Sequence, residues 1–367
     1  MKFSINRDAL LKPLSLAVGV IENRHTLPIL SNVLLSLKGN KLTLVGTDAE
    51  IEISAHAQVE EAIQDGDITL PAKKLLDIVK SLSSDKHVML SSDDNKVSVT
   101  SGKSRFVLSS MPASDFPVTN QSVAATSITL SAKDLGVLID STAFAMAQQD
   151  VRYFLNGMLW ELDKERFRVV ATDGHRLAMC DLDQEGLDIS EKHQMIVPYK
   201  GIQELSRLMS DEDELSIGFN DNNLRVETPS FVFTSKLIDG KFPDYQRVLP
   251  QGTDKVVLGS RQQFKESFSR VAILSNEKFK GVRLEIKPGE MLVSANNPDQ
   301  EEAEESVQVE YDGDSLEIGF NVKYLIDVFG VIKQDKIKIE LSDGNSSALI
   351  SACEHDRAVY VVMPMRL

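Results

Sequence analysis

One pattern recurs three times along this 367-residue chain. In each copy a short strand leads into a helix whose apolar residues follow the i, i+3, i+4, i+7 spacing of a one-sided helix, and successive copies lie about 125 residues apart. Strand–turn–strand sequence and a second strand–helix pair follow, so each copy contains the strand–helix–hairpin half twice. The predicted helices span residues 7–22, 72–81, 132–148, 199–209, 261–275 and 322–332.

A chain built in this way is expected to form three tandem, similar α+β domains, covering residues 1–125, 126–253 and 254–367. In each domain the two helices would lie on one face of antiparallel sheets, because each helix has a single apolar side to bury. Ser131 and Ser260 directly precede their helices and are suited to cap them. Repeats stacked head to tail would present all their helices along one common surface.

Charge is distributed unevenly between the helices and the rest of the chain. The six helical segments together carry a net charge of +4, whereas the whole chain carries −15 and the remainder therefore −19. A protein that grips nucleic acid in a groove is normally basic, so the overall charge argues against that class. Two interpretations of the helices stay open: ordinary solvated faces, or a weakly basic surface that surrounds DNA without gripping it. Most of the helical charge comes from Lys73, Lys74, Lys80, Lys200, Arg207, Arg261, Lys265 and Arg270.

The sequence also indicates the cellular compartment of the protein and the state of its cysteines. The sequence has no apolar run near the ~20 residues of a membrane-spanning helix, and its first residues alternate as in a strand and lack a signal-peptide core. We therefore expect a cytoplasmic protein without membrane contact. Cys180 and Cys353 lie in strand-like apolar sequence, which predicts reduced core residues and not a disulfide.

Several long stretches carry a specific resemblance. They include QDVRYFLNGML at residues 149–159, ATDGHRL at 171–177 and YVVMPMRL at 360–367. Shorter matching stretches lie at residues 12–14, 26–30, 46–48, 242–245, 272–279 and 295–298. Over its full length the chain resembles the β subunit of bacterial DNA polymerase III, the DNA sliding clamp.

This resemblance implies a DNA clamp fold and a ring-shaped, head-to-tail homodimer that encircles duplex DNA without sequence preference and makes the replicative polymerase processive. Two chains supply twelve helices, which at about 9 Å between neighbouring axes would surround a hole of roughly 25 Å, wide enough for B-form DNA. The implied partners are a clamp loader, the DNA polymerase III alpha subunit, and other polymerases and repair proteins that carry short clamp-binding peptides. The family has no catalytic activity of its own and needs no cofactor or metal.

The resemblance also implies where DNA and the second protomer are contacted. Phe154 stands where the family commonly has tyrosine, so a hydroxyl contact is lost there, although the ring can still pack on a sugar or base. The expected DNA contacts are Arg24, Lys73, Lys80, Gln149, Tyr153, Phe154, Lys200 and Arg207. The expected dimer interface has an apolar centre, a basic side and an opposing acidic run. These are Phe106, Ile273 and Leu274; Lys74, Lys103 and Arg105; and Glu301, Glu302, Glu304 and Glu305. By itself such an acidic run is more often a solvated face.

A partner-peptide pocket is implied between the second and third domains. Asn345 and Gln246 depart from the residues expected there, which predicts a changed rim. A chain end usually frays, so the apolar Met-Pro-Met-Arg-Leu terminus is expected to be docked or bound, and flexible methionines suit a site with several partners. The pocket residues are Leu155, Thr172, Gly174, His175, Arg176, Leu177, Pro243, Arg247, Val248, Ser347, Val361, Met363, Pro364, Met365, Arg366 and Leu367.

Two other classes of function compete with that of a clamp. An enzyme would have to use Asp173, His175 and Cys180, but the first two lie on one turn without a second histidine, and neither a phosphate-binding glycine loop nor a His-Glu-x-x-His motif is present. A structural role for this cluster is therefore favoured. A repeat scaffold that binds only proteins is the third class. Retention on circular but not on linear DNA distinguishes a clamp from such a scaffold.

Overall fold

The structure, a computed structural model, describes residues 1–22, 27–84, 86–118, 126–183, 189, 191–354 and 357–366. Its six helices begin at the predicted residues. The first helix of each repeat ends earlier than predicted. The helix that begins at Arg7 ends at Gly19, and the 3-10 turns Ala143–Ala145 and Ala272–Leu274 replace the last turns of the helices that begin at Ala132 and Arg261. The helices are α1 Arg7–Gly19, α2 Ala72–Ser81, α3 Ala132–Thr142, α4 Tyr199–Leu208, α5 Arg261–Val271 and α6 Val322–Val331.

The strands fall into three groups that follow the three repeats. The first repeat has β1 Lys2–Asn6, β2 Asn32–Lys38, β3 Lys41–Thr47, β4 Ile51–Gln58, β5 Glu61–Gln64, β6 Gly66–Pro71, β7 His87–Asp93, β8 Lys96–Ser101 and β9 Ser104–Ser109. The second has β10 Thr126–Ser131, β11 Gly157–Leu162, β12 Arg166–Thr172, β13 Arg176–Asp183, β14 His193–Pro198, β15 Glu214–Phe219, β16 Asn223–Glu227 and β17 Phe231–Lys236. The third has β18 Lys255–Ser260, β19 Gly281–Lys287, β20 Glu290–Asn296, β21 Glu302–Gln308, β22 Leu316–Asn321, β23 Lys336–Leu341, β24 Ala348–Ala352 and β25 Ala358–Val362.

Four sheets result, and every strand pairing within them is antiparallel. Their strand orders are β5-β1-β7-β8-β9, β10-β15-β16-β17-β4-β3-β2-β6, β14-β11-β12-β13-β25-β24-β23-β18 and β21-β20-β19-β22. The α+β class with antiparallel sheets is thus confirmed. Each eight-stranded sheet joins strands of two repeats, through β17 with β4 and through β25 with β13.

The chain folds into two compact units, one of residues 1–133 with 203–237 and one of residues 134–202 with 238–367. Each unit contains one eight-stranded sheet and one smaller sheet. This division differs from the predicted limits near residues 125 and 253, because the shared sheets tie the middle repeat to both of its neighbours. The three domain limits stay a prediction.

Helices and strands meet at close range where the sequence permits it. A Cβ on Gly46 in β3 would lie 1.9 Å from the Ala17 carbonyl oxygen, so only glycine lets α1 approach this strand so closely. In the third repeat Phe264 and Phe268 of α5 pack on Phe329 of α6, with ring centroids 5.7 and 5.4 Å apart. The aromatic rings thereby bury the apolar sides of both helices against each other.

Local predictions mostly agree with the structure. The Ser260 side chain accepts a hydrogen bond from the Gln263 backbone N–H at 3.4 Å, so this residue caps α5 as predicted. Cys180 and Cys353 are both free thiols, but only Cys180 is buried. The predicted core position of Cys353 was wrong, because β24 ends at Ala352 and leaves the next residue exposed. Within the described residues, the helices are all too short or too polar to cross a membrane.

Candidate functional site

An apolar sheet face forms where β13 and β25 pair. Leu177 faces Val361 across this pair, and both are buried, with 3% and 1% of their surfaces exposed. Side chains alternate along a strand, so each strand sends every second residue to this face. Partly buried Phe154 and Leu349 pack at its margin. The buried cluster contains Leu159, Val170, Leu177, Met179, Ile196, Phe242, Tyr245 and Val361.

The C-terminal segment lies along the rim of this face. The Met363 backbone N–H donates to the His175 carbonyl oxygen, and the Met365 backbone N–H donates to the Gly319 carbonyl oxygen, each at 2.9 Å. The terminus is therefore docked, as one of the two sequence-based alternatives predicted; Leu367 lies outside the described residues. Met363 is 42% exposed and Val248 is 38% exposed. Buried residues thus form the floor, while these two remain accessible.

The turn between β12 and β13 is held by its own side chains. The Thr172 hydroxyl donates to the Arg176 carbonyl oxygen at 2.6 Å, and Asp173 Oδ1 accepts the backbone N–H groups of His175 and Arg176 at 2.9 and 3.0 Å. Gly174 adopts a φ of 87°, in the left-handed region that favours glycine. The His175 ring stacks on Tyr324, with centroids 6.2 Å apart. Asp173 and His175 therefore serve this turn, while Cys180 is buried farther along β13.

Arg176 points to the opposite side of β13 from Leu177. Its Nη1 donates to Asp327 of α6 at 2.5 Å, its Nη2 donates to the Phe144 carbonyl oxygen at 2.8 Å, and its guanidinium carbon lies 4.7 Å from the centre of the Tyr324 ring. Its side chain is only 10% exposed. Arg176, predicted from the resemblance to line the pocket, thus ties the pocket strand to α6. The resemblance by itself did not indicate this direction of the side chain.

A buried polar network lies beside the apolar floor. Arg168 binds Asp181 through two hydrogen bonds of 2.5 and 2.6 Å, and its Nη1 donates to the Tyr245 hydroxyl at 3.2 Å. That hydroxyl donates in turn to Glu161 Oε1 at 3.2 Å. Glu161 also accepts from Gln194 at 2.6 Å and pairs with Lys192 at 2.9 Å. Sequence reasoning missed this network, although a glutamate and an arginine inside the apolar strands β11 and β12 were a usable signal.

Electrostatics in the network follow from these contacts. Burial acts to raise the pKa of Glu161, but the hydrogen bonds from Gln194, Lys192 and Tyr245 together outweigh it, so the pKa lies below its usual value. The hydrogen bonds from Arg168 to Asp181 raise the pKa of the guanidinium, which stays charged. Arg168 and Glu161 both form hydrogen bonds with the Tyr245 hydroxyl and so hold this ring, which forms part of the floor.

The loop at residues 149–153 projects from the same unit. Gln149 is exposed with a φ of 57°, Val151 is 95% exposed and Tyr153 is 58% exposed. Arg152 pairs with Asp150 at 2.9 Å and also donates to the Asp173 carbonyl oxygen at 3.1 Å. The hydrogen bonds from Arg152 hold the pKa of Asp150 at about 2. Of the three predicted DNA contacts here, Gln149 and Tyr153 face solvent, while Phe154 packs against the apolar cluster.

The other predicted DNA contacts lie on α2 and α4. Lys73, Lys80 and Arg207 are exposed and Lys200 is half-buried. Arg207 pairs with Glu204 at 2.8 Å, and its guanidinium lies over Gly19, where a Cβ would come within 2.1 Å of it. Arg24 lies outside the described residues.

The predicted dimer residues lie at two sheet edges, on α2 and in the turn after α5. Lys103, Arg105 and half-buried Phe106 belong to the edge at β9, and Lys74 is exposed on α2. Ile273 is 76% exposed beside half-buried Leu274. The acidic residues Glu301, Glu302, Glu304 and Glu305 border or lie on the edge strand β21. Glu305 already pairs with Arg270 in the same chain, which leaves it less available for a partner.

Comparison with known proteins decides the family. Three family models described as the N-terminal, central and C-terminal domains of the DNA polymerase III beta subunit match residues 1–120, 129–244 and 246–366. The chain belongs to the DNA polymerase III beta subunit family. It is 54% identical to the beta sliding clamp of Pseudomonas aeruginosa and 45% identical to that of Escherichia coli, over the full length of each protein. The sequence-based assignment to the sliding clamps is thereby confirmed.

Solved structures of this clamp family agree. The crystal structure of the beta subunit from Pseudomonas aeruginosa matches with a TM-score of 0.98 at 54% identity, and a sliding clamp of the same species bound to griselimycin matches with a TM-score of 0.96. Both cover all of each chain. A beta subunit of Caulobacter crescentus matches with a TM-score of 0.96 at 37% identity. The chain is a sliding clamp subunit with the clamp fold.

Proposed function

We propose that two copies of the chain close head to tail into a ring around duplex DNA, where the ring keeps the alpha subunit of DNA polymerase III on its template. The proposal rests on how the repeats share their sheets. Neighbouring repeats join into one eight-stranded sheet at both junctions within the chain, whereas the strands that would form a third junction stay in two separate sheets. In each eight-stranded sheet, four strands of one repeat continue into four strands of the next.

The strands at these junctions occupy equivalent places in the repeats. β4, β13 and β21 are the same strand of three successive repeats, and β17, β25 and β9 are each the last strand of a repeat. β17 pairs with β4 and β25 with β13, whereas β9 and β21 stand at edges of the described sheets. An open edge presents unpaired N–H and C=O groups that proteins normally cover. Pairing β9 of one protomer with β21 of its partner would complete the third copy of the sheet, and symmetry would do so twice.

The register of the interior junctions specifies the register of the proposed one. Equivalent positions face each other at both interior junctions: Val232 with Ser54, and Val359 with Met179. Carried to the third junction, this register places Arg105 opposite Glu304 and Phe106 opposite Ala303. Opposite charges then face each other across the strands, which mainly selects the register and adds little affinity.

Helix ends support the same assembly. Ile273 follows the start of α5 by as many residues as Gly19 and Phe144 follow the starts of α1 and α3. The Arg207 guanidinium lies next to Gly19, and the Tyr360 ring lies 5.9 Å from that of Phe144, so a residue of the next repeat reaches each of these positions. The equivalent Ile273 is 76% exposed in one chain, as expected for a residue that the partner protomer covers.

DNA would be held by enclosure and only weakly by charge. The exposed Lys73, Lys80 and Arg207 supply a few phosphate contacts on helices of an otherwise acidic chain. Few contacts mean weak binding without sequence preference, which permits sliding. After loading by a clamp loader from a related bacterium, we expect the protein to stay on nicked circular DNA at about 150 mM salt and to be lost when the circle is linearised. Equal retention on linear and circular DNA would overturn encirclement.

The apolar face at β13 and β25 is the proposed docking site for the clamp loader, the alpha subunit, other polymerases and repair proteins. A short peptide of the Gln-x-x-Leu-Phe type would place its leucine and aromatic side chains over Leu177 and Val361, between Val248 and Met363. A linear peptide is ordered on binding and buries few side chains, so its affinity should be about micromolar. Weak binding allows partners to exchange. We propose no catalytic activity for the chain itself.

A further inference from the structure

The two eight-stranded sheets can be compared position by position. In the first, Leu34 faces Val45, which faces Ser54, which faces Val232. In the second, Leu159 faces Val170, which faces Met179, which faces Val359. We refer to these as the floor rows. Three of their four positions are apolar in both sheets, so the same apolar frame exists at both interior junctions.

The adjacent row differs in chemistry. In the second sheet it runs Thr172, Leu177, Val361 and Leu349, which places three apolar residues in the proposed peptide pocket. In the first sheet the same positions run Thr47, Glu52, Thr234 and Arg225. We refer to this row as the selecting row. Its three apolar members are thus replaced by a carboxylate, a hydroxyl and a guanidinium.

The first sheet nevertheless has room for a ligand. A cavity of about 910 Å³ lies over it, lined among others by Leu34, Val45, Glu52 and Arg225. Glu52 is 8% exposed, and the Arg225 side chain is 23% exposed and pairs with Glu227. An apolar side chain that entered this cavity would meet charged groups that already have partners of their own, instead of the apolar surface that the second sheet offers. It would therefore gain less from burial, and it would displace the remaining water around the Arg225–Glu227 pair.

We propose that Glu52, Thr234 and Arg225 close the groove of the first sheet to apolar clamp-binding peptides and so leave one peptide site per chain. The inference rests on the proposed peptide-docking function. The apolar floor row of the second sheet has a counterpart in the first, and the selecting row beside it is where the two sheets differ in chemistry. These three residues act as specificity determinants although they do not touch the bound peptide.

The test gives the selecting row of the first sheet the apolar character of the row in the second sheet. A chain with Glu52→Leu, Thr234→Val and Arg225→Leu is titrated with the labelled peptide Gln-Ala-Asp-Leu-Phe, and the matched control carries Glu52→Gln, Thr234→Ser and Arg225→Lys. Calorimetry should give two peptide sites per chain for the apolar variant and one for the control and the parent chain. A chain ending at Val362 should bind no peptide, and the apolar exchange in that background should restore one site. A folded apolar variant that keeps one site overturns the proposal.

A reverse substitution tests the proposal even if the apolar variant does not fold. Leu349→Arg introduces at the margin of the proposed pocket the residue found in the first groove, and Leu349→Met is its control. Leu349 is only partly buried, so both variants should fold. Leu349→Arg should weaken peptide binding by roughly tenfold or more and Leu349→Met by less than about threefold. Unchanged affinity of Leu349→Arg would contradict the inference, whereas a parent chain that binds no peptide at all would instead refute the docking function.

Discussion

At the scale of single residues, the direction of a side chain separates binding from support. Leu177 and Arg176 are neighbours on β13, yet Leu177 lies in the apolar floor of the proposed pocket and Arg176 reaches α6. Glu161 shows a further role: it is 2% exposed, and its contacts with Lys192 and Tyr245 anchor a ring of the floor. Such residues support the apolar floor through the neighbours that they hold.

Glu161 allows a pH-dependent prediction. Its pKa is lowered in the folded chain, so its charge contributes stability above the unfolded pKa and loses that contribution as pH falls through the folded pKa. Glu161→Gln should lower the free energy of unfolding by about 1–3 kcal/mol at about pH 7, and the difference from the parent chain should shrink toward about pH 3. Urea unfolding of both proteins across this range measures it. A difference that did not change with pH would assign the effect to packing.

At the scale of elements, a few specific contacts hold β13 and the segment that follows β25 in place. Helix α6 meets β13 through Asp327 and Arg176. The terminal segment meets the chain through the two backbone hydrogen bonds of Met363 and Met365. Both connections lie inside one compact unit, and both can be cut without removing a whole element.

The link to α6 offers a matched pair of substitutions. Asp327 pairs with Arg176, whose side chain is 10% exposed, and with Lys323, whose side chain is 65% exposed. Asp327→Ala should lower the free energy of unfolding by about 1–3 kcal/mol, because the largely buried guanidinium of Arg176 loses a partner. Lys323→Ala should lower the free energy of unfolding by less than about 0.5 kcal/mol, because an exposed ion pair is screened by water. Denaturant unfolding compares the two, and equal losses would show that burial does not govern this link.

Deleting Met363–Leu367 tests the terminal segment. The truncated chain loses two methionines from the pocket rim and two backbone hydrogen bonds, so we expect peptide binding and polymerase stimulation to disappear while the chain remains folded. A stability loss of about 1–3 kcal/mol is expected as well. Fluorescence polarisation with the peptide measures binding, and circular dichroism melting is the folding control. Unchanged affinity in the folded truncated chain would place the partner site elsewhere.

At the scale of the whole molecule, the proposed dimer follows from strands that one chain leaves at its sheet edges. Arg105 on β9 and Glu304 on β21 are both exposed. They belong to different compact units of the chain. A head-to-tail dimer would use each edge once per protomer, so any change at the interface acts twice.

A charge exchange tests that interface and its register. Arg105→Glu should place like charges opposite each other at both interfaces and raise the dimer dissociation constant by roughly tenfold or more at low salt. Adding Glu304→Arg should recover most of the affinity, because opposite charges again face each other. Sedimentation at low concentration measures both variants, with Lys96→Glu, on the neighbouring strand β8, as a charge-matched control. Failure of the second substitution to recover dimers would reject this register.

The sequence by itself determined the repeat, the starts of all six helices, the antiparallel α+β class and the family. These features are encoded in the local periodicity of apolar residues and in long specific motifs, which can be read without knowing what lies across the fold. The described residues of the predicted pocket all belong to one compact unit, and Leu177 and Val361 lie in its buried cluster, while their role as a pocket stays a prediction.

Only the tertiary structure decided which strands of different repeats share a sheet, and with them the roles of individual residues. It turned Arg176 away from the floor, packed Phe154 against the apolar cluster, exposed Cys353 and left β9 and β21 at edges. The physical reason is that pairing between β4 and β17, or between β13 and β25, depends on hydrogen bonds and packing between segments far apart in the chain. Periodicity states which residues of a strand share a face, but not what that face meets.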